Sequence, residues 1–198
     1  MPISNFFIIR ILGRIRRETD HDEDDIDMMR FSLQAVLWEL EKTAYLAVVF
    51  IVLGYGWNFL IALVVLLTVR PNAGGFHSST VWGCFFWTLL GFALAIIVLP
   101  RILSINALSI AFVGGFSLAT TYVASPLRSK QMERIAKKDK DKQKKITVTL
   151  MTFVWFLMLF RFQEYFLAPT VLWVLFLQNF QLLIEWLKRK NELSLKNR

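Results

Sequence analysis

Cysteine and histidine are scarce in this 198-residue chain. It has one cysteine, Cys84, and two histidines, His21 and His77. A single cysteine excludes an intrachain disulfide and any metal site built from several thiolates. His77 has no second histidine or carboxylate at ligand spacing, so the sequence predicts no metal and no other cofactor. Cys84 is left as the only thiol that can act as a nucleophile.

Charged residues are also sparse, and they are unevenly placed. They make up 19% of the chain against 56% hydrophobic residues, and short charged segments separate long uncharged ones. A soluble domain of this size could not bury so much apolar surface, whereas a helix crossing a bilayer needs about 20 apolar residues. We therefore predict an all-α, polytopic membrane helical bundle in the lipid bilayer. The net charge of +8 lies beside apolar runs, which argues against nucleic-acid binding.

The first 30 residues are predicted to lie at the membrane surface. Apolar residues fall on one side of a helix over residues 3–17 and arginines on another, which predicts an amphipathic interfacial helix. The charge order is the reverse of that in a cleavable signal peptide. Seven acidic residues between positions 18 and 27 predict a solvated linker.

About six transmembrane spans are predicted after this segment, in a single membrane domain. Residues 31–69 are long for one span and short for two, but Gly54-Tyr55-Gly56-Trp57-Asn58 offers a turn, which favours spans 1 and 2. Spans 3 and 4 are predicted within 84–124, joined at Pro100-Arg101, and spans 5 and 6 within 146–186. The predicted limits of the last four are Cys84–Leu99, Leu103–Ala124, Ile146–Phe160 and Phe166–Trp186.

Lysine and arginine counts predict the orientation. The loop at 125–145 has nine basic residues from Arg128 to Lys145, and the tail at 187–198 is basic as well. Basic segments next to spans stay in the cytoplasm. With six spans, both termini and the 70–83 loop then also lie on the cytoplasmic side of the cell membrane.

The 70–83 loop contains the residues that predict chemistry. His77 precedes Cys84 by seven residues, near the predicted start of the third span. A catalytic cysteine needs a base and an oxyanion donor, and a helix N-terminus favours the thiolate. Seven helical residues would separate the two side chains by about 10.5 Å, so His77 must sit on a loop that folds back. Gly74-Gly75 provides the backbone freedom for that fold.

Arg70, Gly75, His77 and Cys84, in a loop that enters the third span of a small six-span protein, resemble the AgrB family (accessory gene regulator B). These are membrane cysteine endopeptidases of Gram-positive peptide quorum sensing. The resemblance covers nearly the whole chain. It implies that Cys84 and His77 are catalytic, and that Arg70, Gly74 and Gly75 support the catalytic loop.

The same resemblance implies the partner: an AgrD-like precursor peptide with an amphipathic leader, a core containing Cys or Ser, and an acidic tail. Cleavage through an acyl-thioester on Cys84 would lead to a cyclic thiolactone or lactone. A homodimer is also implied. The basic loop is expected to bind the acidic tail, with candidate residues Arg128, Lys130, Lys137, Lys138 and Lys140.

Two alternatives stay open at the level of sequence. One is a non-enzymatic membrane protein, either a peptide-binding scaffold or a transporter subunit, although the spans contain few ionisable groups and no inverted repeat is visible. The other is a peptidase that trims a peptide without cyclising it. The group that orients His77 is not identified, since Glu39, Glu41 and Asn72 are each placed where they could do so.

Overall fold

The computed structural model describes residues 23–74, 81–127 and 138–196. Within that part the regular structure is entirely helical, and the chain divides into two compact units at Val52 and Leu53. Among the described residues, five helical segments are long and apolar enough to cross a membrane. The prediction of a polytopic helical membrane bundle is therefore confirmed. The predicted amphipathic helix at 3–17 lies outside the described residues.

The described part of the first unit is one helix, α1 (Glu23–Val52). It begins inside the predicted acidic linker, and the backbone of residues 23–27 is helical, so the linker prediction is wrong there. An acidic sequence is compatible with the start of a helix, because negative charge near the N-terminus is favourable to the helix dipole. The Lys42 ammonium lies 2.7 Å from both carboxylate oxygens of Glu39. Since all five candidate spans lie beyond α1, the first of the six predicted spans stays a prediction.

The second unit begins with a turn at residues 53–55, inside the segment where a turn was predicted. Gly54 has a φ of +81° there, a conformation that favours glycine. The helices that follow are α2 (Gly56–Ala73), α3 (Val81–Ala93), α4 (Leu99–Ile102), α5 (Ala107–Ala124), α6 (Lys138–Arg161) and α7 (Ala168–Lys196), with a π-helical turn (Leu94–Val98) between α3 and α4.

Helix α7 forms the centre of this unit. Half of its most apolar stretch is buried, against 17% for the span Trp82–Ile102, and it packs against α2, α5 and α6. Buried hydrogen bonds between polar side chains fix the contacts. Asn58 of α2 donates to Thr170 at 2.8 Å, and Thr121 of α5 donates to Asn179 at 2.7 Å. Such bonds are a common means of joining helices in a bilayer, where apolar packing alone gives little preference for one partner.

The predicted connection at Pro100-Arg101 is wrong. Both residues are helical, within α4, and the chain breaks instead at Leu103 to Asn106, where Asn106 caps α5. A proline inside a helix collides with the carbonyl four residues earlier. The π-helical turn directly before it widens the helix at that point, so the span continues through Pro100 to Ile102.

Three predicted loop boundaries are also corrected. Residues 70–73 of the predicted catalytic loop belong to α2, residues 138–145 of the basic loop belong to α6, and the basic tail is helical to Lys196. For the two basic segments, hydropathy marks where the bilayer ends, whereas a helix with good helix formers such as lysine continues past that level into water. Residues 70–73 include Pro71 and are not good helix formers, and the end of α2 is instead held by the hydrogen bond from Leu127 to Ala73.

Candidate active site

Cys84 and Arg70 line the same cavity, although they come from different helices. Cys84 is the fourth residue of α3 and is half-buried, and its backbone carbonyl accepts a hydrogen bond from the Thr88 hydroxyl at 2.7 Å. Arg70 lies in the last turn of α2, where a cation is favourable beside the negative end of the helix dipole. The prediction that Cys84 lies near the start of a helix is confirmed; Arg70 is helical rather than in a loop.

The cavity has a volume of about 350 Å³, which lies within the range of small ligand pockets. Its walls are formed by α2, α3, the π-helical turn and α7, and most of the lining is apolar or aromatic. Among the described residues that line it, Arg70 carries the only formal charge, and Cys84, Thr88, Gln178 and Gln181 add polar atoms. The cavity can therefore hold apolar groups beside a thiol and a fixed positive charge.

The end of α2 is held in a defined conformation. Gly74 has φ +83° and ψ −171°, a region that is open essentially to glycine alone. Its carbonyl oxygen accepts a hydrogen bond from the Gln178 amide at 3.1 Å, and the Leu127 backbone N–H donates to the carbonyl of Ala73 at 2.9 Å. The chain therefore leaves α2 in a direction that two other parts of the bundle determine.

Leu127 shows where the predicted basic loop begins relative to α2. It is the last described residue before position 138, and its contact with Ala73 puts it beside the start of the segment that contains His77. The described residues that precede the predicted catalytic loop and the predicted basic loop are therefore in contact. Sequence spacing gave no indication of this, because more than fifty residues separate them.

Aromatic and basic side chains also lie at the end of the second unit that contains Cys84. Trp82, Phe85 and Phe86 form an aromatic group in the first turns of α3, with ring centroids 5.7–6.5 Å apart. The Lys145 ammonium lies 4.1 Å from the centre of the Tyr122 ring, at the adjoining ends of α6 and α5. Tryptophan, tyrosine and lysine are residue types typical of the membrane–water interface.

Several predicted site residues lie outside the described part of the chain: His77, Gly75, Arg128, Lys130 and Lys137. Lys138 and Lys140 lie in the first turn of α6. The approach of His77 to Cys84 and the binding of a peptide tail by the basic loop therefore stay predictions. Within the described residues no group of three or more His, Cys, Asp or Glu side chains could hold a metal ion.

The structure adds Gln178 and Leu127 to the site, and the sequence reasoning had missed both. The available signal for Gln178 was the pair Gln178-Asn179 inside the apolar stretch of α7, since amides within a span usually make a specific contact. Leu127 gave no signal, because its backbone rather than its side chain makes the contact.

The fold and the cavity define a class: a polytopic helical membrane protein with a single thiol at one end of its bundle, beside an arginine. Residues 8–182 match the profile of the family described as accessory gene regulator B. The chain belongs to the AgrB family, which takes part in the processing of peptides for quorum sensing.

Two curated relatives agree with this assignment. The chain is 23% identical over 172 residues to a protein named AgrB-like from Clostridium perfringens (strain 13 / Type A), covering 87% of this chain and 91% of the relative. It is 28% identical over 163 residues to an AgrB-like protein from Clostridium beijerinckii, covering 81% and 78%. No solved structure gives a significant match.

Proposed function

We propose that this protein is a membrane cysteine endopeptidase that removes the acidic C-terminal tail from an AgrD-like precursor peptide. The observation that carries the proposal is the position of Cys84. It is the only thiol in the chain, and it sits in the first turn of a helix, in a cavity that also contains Arg70. Family membership supplies the substrate class.

The reaction begins with attack of the Cys84 thiolate on the carbonyl that joins core to tail. His77 takes the thiol proton first and then gives it to the leaving amine of the tail, so the peptide bond breaks and a thioester on Cys84 forms. A thiol or hydroxyl in the peptide core next attacks the thioester carbonyl and gives its proton to His77. That step closes the ring and releases Cys84 as a thiolate, which takes the proton back from His77.

The cavity contributes binding and charge. Its apolar walls take up side chains of the peptide core and limit the access of water to the thioester, which favours cyclisation over hydrolysis. Arg70 lines the same space. Its positive charge would stabilise the negative charge that develops on the carbonyl oxygen during attack.

The orientation completes the proposal. Leu127 and Lys145 lie at the end of the bundle where Cys84 lies, and the basic residues from Arg128 to Lys145 follow Leu127 in the sequence. Basic segments beside spans face the cytoplasm, so the precursor is cleaved at the cytoplasmic face of the cell membrane. A homodimer, which the family resemblance implied, stays a prediction.

Detection of the acyl-enzyme, the thioester between the peptide and Cys84, is the direct test of this mechanism. We expect a precursor whose core Cys or Ser is replaced by Ala to leave the core on Cys84 as a thioester, because no internal nucleophile can displace it. Intact-mass measurement should show the chain heavier by the leader and core, and hydroxylamine should reverse the increase. With the unaltered precursor, the released peptide should be about 18 Da lighter than the linear fragment of leader and core, because ring closure replaces hydrolysis. A tail released without any thioester would contradict the mechanism.

The basic loop gives a second prediction. Reversing the charges of Lys137, Lys138 and Lys140 to Glu should raise KM for the full precursor about 10-fold, since several charge pairs with the tail, each of up to about 1 kcal/mol, are lost together. For a peptide with a shortened tail, KM should stay within about 2-fold, and added salt should reduce the difference.

The matched control reverses three charges elsewhere, at Lys188, Arg189 and Lys190 of α7. This control changes the net charge of the protein by the same amount, so any general electrostatic attraction is affected equally. If the variant at Lys137, Lys138 and Lys140 raises KM equally for the full precursor and for the peptide with a shortened tail, the 125–145 loop does not recognise the tail.

A further inference from the structure

The cavity beside Cys84 is a cleft between α3 and α7 that is closed at one end. The π-helical turn packs closely against α7, whereas α3 before it makes fewer contacts with that helix. Ala95 of the turn lines the cavity and is only 1% exposed. Cys84 lines the same cavity about three helical turns earlier, near the start of α3. The α3–α7 cleft therefore runs from a buried end at Ala95 to the thiol.

The lining of the α3–α7 cleft changes along its length. Arg70 and Cys84 come from the last turn of α2 and the first turn of α3, so the charge and the thiol belong to the same end. Leu66, one turn before Arg70, lines the cavity together with Phe92 and Ala95 farther along α3 and the π-helical turn. A ligand with a reactive polar group at one end and an apolar group at the other matches this arrangement.

Gly91 leaves space inside the cleft. It lies on the same face of α3 as Cys84, two helical turns farther along, which is about 10 Å along the helix axis. Among the described residues, the atom nearest to a Cβ added at Gly91 is the amide nitrogen of Gln181 at 3.8 Å, an ordinary van der Waals distance. Since Gly91 and Gln181 both line the cavity, that Cβ would point into the cleft.

Acylation of Cys84 determines which part of a peptide lies nearest to the cleft. In the thioester, the sulfur is bonded to the carbonyl carbon of the last core residue, and that carbon is bonded to the Cα of the same residue. The side chain on this Cα is therefore the first apolar group of the peptide beyond the sulfur. A leucine or phenylalanine side chain there extends toward the level of Gly91, where its transfer out of water is favourable.

We propose that the α3–α7 cleft binds the side chain of the core residue whose carbonyl Cys84 attacks, that this residue is large and apolar, and that Gly91 sets the size that the cleft accepts. This inference rests on the proposed function, because it assumes acylation of Cys84 by a peptide. The competing occupant is a lipid acyl chain, since Trp87 and Leu90 line the cavity and are about half exposed at the surface of the unit.

The first measurement is a ratio of kcat/KM for tail release, between a precursor whose core ends in Phe and one whose core ends in Ala. We expect a ratio of at least about 50 for the unaltered protein, because each methylene in an apolar pocket contributes about 10-fold or more. In Gly91→Leu the new side chain occupies the cleft, and the ratio should fall below about 3. Leucine is a better helix former than glycine, so α3 itself is not weakened.

Gly115→Leu is the matched control. Gly115 lies in the middle of α5, it is not among the described residues that line the cavity, and a Cβ atom there meets nothing within 4 Å. The substitution is the same and adds the same apolar bulk to a span. Its preference for Phe over Ala should match that of the unaltered protein.

The second measurement needs no peptide and uses Cys84 as its own reporter. Because Cys84 is the only cysteine, alkylation of the full-length protein in membranes reports on that thiol alone. Its thiolate displaces iodide from iodoacetamide and from N-phenethyl-iodoacetamide, which differ in one apolar group. We expect the rate of the larger reagent relative to the smaller one to fall about 10-fold in Gly91→Leu. Gly115→Leu should leave this ratio unchanged, since both reagents enter the bilayer equally in every sample.

The outcomes separate the two proposals. If Gly91→Leu lowers the alkylation ratio but not the preference for Phe over Ala, the cleft holds another apolar chain such as that of a lipid, so the inference is wrong and the proposed function stands. Equal changes in Gly91→Leu and Gly115→Leu, or no change in either ratio, would also overturn the inference. If Cys84→Ala releases the tail as fast as the unaltered protein, the proposed function fails, whatever the alkylation ratio shows.

Discussion

Replacing Cys84 by Ala should reduce precursor cleavage by at least about 10³-fold, because the loss of the nucleophile removes the covalent route altogether. The change removes one sulfur atom from the wall of a mostly apolar cavity, so the bundle should fold and bind the precursor as before. The measurement is the rate of tail release from the precursor, in membranes that hold equal amounts of each protein.

Replacing His77 by Ala should be milder and should depend on pH. The loss of a general base costs about 10²–10⁴-fold at neutral pH. As the pH rises toward the usual pKa of a thiol, about 8.5, the thiolate forms without a base. The deficit should therefore shrink as the pH rises, although protonation of the leaving amine stays impaired. Cys84→Ala should show no such recovery at any pH.

His21→Ala is the control for these two variants. It removes the other histidine, which lies in the acidic segment and not in the loop that precedes α3. Its rate of tail release should match that of the unaltered protein. If Cys84→Ala and His77→Ala also process the precursor at that rate, the enzymatic proposal is wrong and a peptide-binding scaffold becomes the better explanation.

The spans were predictable because composition determines them. Apolar runs of about 20 residues have no stable place in water, so hydropathy found the last four candidate spans. The span Gly56–Ala73 was separated from the helix before it by the turn residues at 54–58. Their ends were predicted less well. The helix around Pro100 and the helical tail to Lys196 depend on backbone hydrogen bonding, which continues whether the surrounding medium is lipid or water.

Single residues of the candidate site could be predicted from the sequence, but the contacts between distant positions could not. Cys84 and Arg70 stood out because each is a chemically distinctive residue at a span boundary. The contact of Leu127 with Ala73, and that of Gln178 with Gly74, join positions 54 and 104 residues apart. Such contacts follow from how helices pack, and neither periodicity nor residue type along the chain specifies which backbone groups will meet.

Gly74 is the position where packing and catalysis should be most sensitive to a small change. A Cβ atom added there would lie 2.9 Å from the carbonyl carbon of Leu127 and would overlap its oxygen. Gly74→Ala must therefore separate Leu127 from the end of α2, which breaks the hydrogen bond to Ala73 and displaces the acceptor of Gln178. A misplacement of about 1 Å near a reacting group can cost about 10²-fold in rate.

Gly54→Ala is the control for Gly74→Ala, because it introduces the backbone strain without the collision. Gly54 has φ +81°, nearly the same as the +83° of Gly74, but a Cβ atom there meets nothing within 4 Å. Both variants bear the strain of an alanine in this region, about 1–3 kcal/mol, and only Gly74→Ala adds the collision. We expect both to lower the temperature of thermal inactivation. Gly74→Ala alone should lower kcat for tail release, by about 100-fold, and should slow iodoacetamide labelling of Cys84 at pH 7. If the two alanine variants cleave the precursor at the same rate, the end of α2 does not position the catalytic segment, and His77 reaches Cys84 independently of the bundle that surrounds Gly74.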